Sequence, residues 1–161
     1  MAISIITNNS IVNNSIVNNS IINNSTDNNM YFIKKNVSQH EYKMHKHVYD
    51  LGIVNIPEII NYNESTKELT LRKIDNMNIS DCYGDTPKKI GIDILDNIRD
   101  IIQTLYNNNI IYPDITGYNF IEYENKLWII DFEHAYFKTK QKNVFVERFL
   151  KGSNRWNPLF K

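Results

Sequence analysis

Apolar residues recur along this chain at spacings that switch between strand and helix periods, and each switch marks an element. Tyr31-Phe32-Ile33-Lys34-Lys35 is short and rich in aromatic and β-branched side chains, which predicts a strand. Ser38-Gln39-His40-Glu41 has the spacing of a capping box and opens a helix that runs to about Leu51 and stops at Gly52. Pro57 begins a second strand through Tyr62, Asn63-Glu64-Ser65-Thr66 supplies a turn, and the alternation from Glu68 to Ile74 returns the chain antiparallel. Thr86-Pro87 reads as an N-cap with Pro at the first helical position. Ile94, Ile98, Ile101, Ile102 and Leu105 then form the apolar stripe of a long helix ending at Asn107-Asn108-Asn109. A hairpin turning around Glu124-Asn125, a strand from Leu127 to Ile130 and a short helix from Asn143 to Leu150 complete the pattern.

The pattern is missing before Met30. From Asn8 to Ser25 the unit Asn-Asn-Ser-Ile-Val occurs twice, followed by Asn-Asn-Ser-Ile-Ile and a final Asn-Asn-Ser. Such a segment buries too little apolar surface to offset the entropy of ordering it, so residues 1–29 are expected to be a disordered, low-complexity stretch. The folded part is expected to span residues 30–161.

Composition narrows the class. With 161 residues, 42% of them hydrophobic and 12% aromatic, the chain can build one core. Eighteen basic residues balance eighteen acidic ones, so bulk charge favours neither a nucleic-acid nor a membrane-surface partner. The one cysteine, Cys82, has no partner for a disulfide and no thiol or histidine pair beside it for a metal. The first residues lack the basic start and apolar stretch of a signal peptide, and no run approaches the ~20 apolar residues of a membrane span. An intracellular, soluble protein is expected.

Candidate chemistry lies after the long helix. Asp114 and Asn119 stand five apart in a loop, and Asp131 closes the apolar run Ile129-Ile130 twelve residues past Asn119. An Asp and an Asn in one loop with a second Asp at a strand end is an arrangement that holds an acceptor hydroxyl and a metal-bound triphosphate. Phosphoryl transfer needs positioning and charge neutralisation more than covalent help from the protein, so three such residues form a meaningful set.

Asp114-Ile115-Thr116-Gly117-Tyr118-Asn119 and Ile129-Ile130-Asp131-Phe132-Glu133 resemble the loop and strand end of protein-kinase-like enzymes, above all the small atypical Rio-type kinases and their Bud-type relatives. Leu51-Gly52-Ile53-Val54-Asn55-Ile56-Pro57 is similar to the segment that follows the first helix in those families. The resemblance covers about residues 30 to 137. It implies an α+β, minimal two-lobed kinase-like fold, with a reduced small lobe over 30–75 and a truncated helical lobe over 76–161, and with ATP and Mg²⁺ as cofactors. It also implies that Asp114 orients the acceptor hydroxyl and takes its proton, while Asn119 and Asp131 hold the metal.

Lys34 or Lys35 would reach the α and β phosphates. Strand alternation sends only one of them toward the cleft, and the sequence leaves the choice open, with Lys34 preferred. Glu41 would pair with that lysine, yet its place three after Ser38 equally makes it a capping residue. Thr116 would contact the γ-phosphate or the acceptor, and Tyr112 is expected to pack on the Asp131 strand. Glu133 replaces the glycine of the usual Asp-Phe-Gly and implies a fixed metal site.

Two expected parts are missing from the sequence. No Gly-rich loop precedes Lys34, and the thirty residues after Asp131 are too few for a full activation segment with peptide-docking helices. Three functions therefore compete: a phosphotransferase acting on protein Ser/Thr or on a small hydroxyl compound, an ATPase-type nucleotide switch, and a catalytically weak pseudokinase.

Overall fold

A computed structural model describes residues 30–160, so the repeat and its expected disorder lie outside the described residues. Strand β1 (Tyr31–Lys34) pairs antiparallel with β3 (Glu68–Arg72), which also pairs antiparallel with β2 (Ile59–Asn63), giving the order β1-β3-β2. Between β1 and β2 runs α1 (Gln39–Leu51). Ser38 Oγ accepts from the Glu41 N–H at its start, and Gly52 ends it at φ 61°, a left-handed position that suits a residue without Cβ. Val37, Leu69 and Leu71 form a small core under this sheet, with Tyr42 and Tyr62 stacked at 4.1 Å.

The larger core is built on α3 (Ile92–Asn107), whose Leu95, Ile98, Ile102 and Leu105 are buried. Each such side chain stabilises the fold by about 1.5–3 kcal/mol in transfer terms. The helix does not begin at Thr86-Pro87 as the sequence predicts. Pro87–Lys89 form one 3₁₀ turn, the backbone extends at Ile90, and α3 restarts from Gly91. Pro87 is compatible with the start of a helix, and the break comes three residues later, where Ile90 leaves the helical path and buries its own side chain. A short helix α2 (Ile79–Tyr83), which the sequence pattern does not announce, precedes that turn and is capped by Asn78.

After α3 come β4 (Ile110–Ile111), the hairpin β5 (Phe120–Tyr123) and β6 (Lys126–Ile129), then β7 (Tyr136–Phe137) and α4 (Val144–Leu150). The hairpin turns through Glu124 at φ 51° and Asn125 at φ 57°, the mirror-image turn that matches strand twist. Strand β7 returns to pair with β4, a long-range contact. Helix α1 joins the two halves: Met44 and Val48 enter the larger core while Tyr42 packs on the smaller one.

Candidate active site

Alternation along β1 puts Phe32 and Lys34 on the face that lines a cleft of about 320 Å³, together with Leu71, Ile121, Ile130 and Asp131. Lys34 Nζ lies 2.6 Å from Glu41 Oε1 and 2.8 Å from Asp131 Oδ2, so one ammonium ties β1, α1 and the end of β6 together. Burial pulls this ammonium down, but its bonds to Asp131 and Glu41 outweigh burial and hold it above its ordinary value. Burial pushes Glu41 up, and Lys34 offsets part of that shift. The capping box is therefore half formed. Ser38 caps the Glu41 backbone, while the Glu41 carboxylate turns to the lysine instead of back to the cap.

Lys35 does not line this cleft. It follows the last residue of β1, and its side chain is 74% exposed and 3.9 Å from Glu68.

Asp131 owes its position to four restraints. The Ile130 N–H donates to the Asn119 carbonyl at 2.9 Å and the Ile129 N–H to that of Asn55 at 3.0 Å, which fixes the end of β6 against the loop 114–119. Tyr112 Oη donates toward the carbonyls of Ile130 and Asp131 at 2.7 and 2.8 Å. The Glu133 N–H donates to Asp131 Oδ1 at 3.1 Å. Asp131 itself takes the left-handed conformation at φ 62°, and Glu133 is not among the positive-φ residues, so a side chain fits at the position where related motifs carry glycine.

Tyr112 is buried against the Asp131 strand as expected, and burial pushes its phenol well above 10, keeping it a neutral donor. Its ring meets Phe132 edge-on at 5.6 Å, and Phe132 meets His45 edge-on at 5.4 Å. His45 Nε2 in turn donates to the Pro57 carbonyl at 2.8 Å. This aromatic column runs from the loop through the Asp131 segment into α1. Nothing in the sequence gives His45 this bracing contact, although its place four residues after Glu41 puts both on one helix face. His40 Nε2, from the same helix, lies 2.7 Å from the Ala135 carbonyl and fastens α1 to the chain beyond Phe132.

Asn119 Nδ2 donates to the Asp114 carbonyl at 3.0 Å, closing the loop on itself. Burial raises the Asp114 carboxyl, Asn119 lowers it, and the Asp131 charge raises it further. Thr116 is buried and its N–H donates to the Asp114 carbonyl. It does not line the Lys34–Asp131 cleft. It lines two cavities on the other side of the loop, one of about 490 Å³ that also contains Asp114 and Asn119. Lys34 and Asp131 therefore line one cleft, with Glu41 buried and paired to Lys34, and Asp114, Asn119 and Thr116 line the neighbouring cavity, with the Ile130–Asn119 bond joining the two.

The sequence model of the RIO domain family matches residues 13–151. Among curated proteins, the EKC/KEOPS complex subunit BUD32 of Enterocytozoon bieneusi is 29% identical over 111 residues, covering 62% of this chain and 54% of its own. The chain thus spans about half the length of that relative. Among solved structures, the Cydia pomonella granulovirus kinase PK-1 superposes with a TM-score of 0.46 at 16% identity, over 66% of this chain and 43% of that one.

Proposed function

The chain belongs to the RIO domain family, with a small α+β protein-kinase-like fold, and from that premise we propose that it is an ATP- and Mg²⁺-dependent phosphotransferase of the serine/threonine kinase type. One observation carries the proposal: the Lys34 ammonium bridges Glu41 and Asp131 at 2.6 and 2.8 Å on the wall of a largely apolar cleft between the sheet and the hairpin. Phe32 and Leu71 above, with Ile121 and Ile130 below, offer the flat apolar slot that an adenine ring fills.

Carboxylate and amide oxygens of this kind would suit a hard divalent cation. Asp131 presents a carboxylate that is 31% exposed toward the cleft, and Asn119 commits its amide N–H to Asp114, which leaves its carbonyl oxygen as the donor atom. Bound there, Mg²⁺ would neutralise charge on the β and γ phosphates. Lys34 would bind the α and β phosphates, with Glu41 fixing its reach. Asp114 would hold the acceptor hydroxyl in line and accept its proton, and Thr116 would contact that acceptor from the same side.

The test is Mg²⁺-dependent consumption of γ-labelled ATP by the full chain beside Asp131→Ala, with label transferred and label released both counted. Turnover lost in the variant supports the metal site, and transfer to protein or to a small hydroxyl compound identifies the acceptor class. Release without transfer would replace the kinase reading with an ATPase. Absence of turnover in folded wild-type protein would leave a pseudokinase binding module.

A further inference from the structure

The chain after α4 packs against the catalytic loop, and no motif in the sequence announces it. It is rooted first on α3, where Arg99 donates to the Phe149 carbonyl at 3.2 Å and to Asn154 Oδ1 at 2.7 Å. Trp156 then lies over Gly117, so close that a Cβ on that glycine would stand 3.3 Å from the indole ring. Asn157, 3% exposed, makes the decisive contacts. Its side-chain Nδ2 donates to the Pro113 carbonyl at 2.7 Å and its backbone N–H to the Ile115 carbonyl at 2.9 Å. The residue between those two carbonyls is Asp114. Asn157 Oδ1 and its carbonyl then accept from the N–H groups of Leu159 and Phe160, which turns the chain back over the loop and seats the Phe160 ring 4.7 Å from His134. Leu159 and Phe160 thereby close one side of the cavity of about 490 Å³ that contains Asp114.

We propose that Leu159 and Phe160 form the acceptor-side wall beside Asp114, and that Asn157 is the positioning residue that sets this wall and Asp114 in register. The inference rests on Asp114 as the proposed base. It assigns to this segment the task of confining a hydroxyl-bearing acceptor beside that base, between Phe160 and Thr116. The nucleotide cleft shares no lining residue with this cavity, so the main effect of Asn157 falls on the transfer step and reaches ATP only through Asn119 in the same loop.

The test uses the full chain with Asn157→Asp, which keeps the shape but sets a carboxylate oxygen against the Pro113 carbonyl, and with Asn157→Ala, which removes the donor without repulsion. Backbone bonding to Ile115 survives in both, and thermal melts show which variant is folded. Two readouts are taken: amide hydrogen exchange over 113–119, and steady-state Mg²⁺-dependent ATP turnover with dephosphorylated casein as acceptor. Loss of the clamp should speed exchange in that loop by about tenfold while β1 to β3 keep their protection. It should lower kcat by ~10-fold or more, with a smaller change in the KM for ATP. Unchanged loop exchange overturns the proposal whatever the activity, and so does faster exchange with wild-type kcat. If the wild type consumes no ATP, it is the phosphotransfer reading that fails, and the exchange data alone then decide whether Asn157 clamps the loop.

Discussion

Lys34 and Lys35 are adjacent and chemically identical, yet one is held between two carboxylates and the other projects into solvent. Lys34→Ala should therefore abolish ATP turnover and weaken nucleotide binding, whereas Lys35→Ala should leave both within about twofold, since an exposed ion pair contributes ~0–1 kcal/mol. Titration with a fluorescent ATP analogue checks the difference. Tyr112 makes a second prediction at this scale. Tyr112→Phe keeps the ring packed on Phe132 but removes the donor shared by the Ile130 and Asp131 carbonyls, leaving buried acceptors without it. Chemical denaturation should show a loss of about 1–3 kcal/mol, with reduced turnover because the Asp131 backbone loosens. Had the capping box alone governed Glu41, its carboxylate would face the helix start. Burial next to an ammonium decides otherwise, and that competition is invisible to spacing.

Helix α1 and the loop 114–119 are the two elements whose placement makes the site. On α1, burial pushes the His45 imidazole below its ordinary 6.5, the Pro57 carbonyl opposes that, and the Lys34 and Asp131 charges act in opposite directions. A folded-state value below the unfolded one means that the contribution of His45 to stability is complete above about pH 6.5 and is lost as the pH falls through the folded value. Glu41, raised by burial, titrates in the opposite sense on the same helix. The clean comparison is therefore between proteins. His45→Gln keeps a donor for Pro57 without titrating, and its melting temperature should fall less than that of the wild type between pH 6.5 and pH 5. In the loop, Gly117 has no room for a side chain: a Cβ would stand 2.5 Å from Ser80 Oγ and 3.1 Å from the Ser80 nitrogen. Gly117→Ala must push α2 and the loop apart, costing about 1–3 kcal/mol and lowering turnover, as thermal melts and steady-state kinetics would show.

Across the whole molecule, the site exists only where the sheet, the hairpin and α1 converge, so a ligand bridging them should stabilise the native state. Saturating Mg²⁺·ATP at ~100 times its dissociation constant should add about 2.7 kcal/mol, read as a rise in melting temperature, and Asp131→Ala should lose the Mg²⁺-dependent part. Among the described residues no helix is long and apolar enough to cross a membrane. By itself, the sequence determined what local chemistry and period can specify: α1 with its Ser38 and Gly52 ends, the β2–β3 pair, the hairpin at Glu124-Asn125, the stripe of α3, and the family to which Asp114, Asn119 and Asp131 point. These follow from contacts between near neighbours in the chain. Only the tertiary structure decided which lysine enters the cleft, where the Glu41 carboxylate turns, that α3 restarts after a separate 3₁₀ turn, and that His45 bonds Pro57 and Asn157 bonds Pro113. Those outcomes depend on burial and on hydrogen bonds between residues far apart in sequence, such as Asn157 with Pro113, for which linear spacing carries no signal.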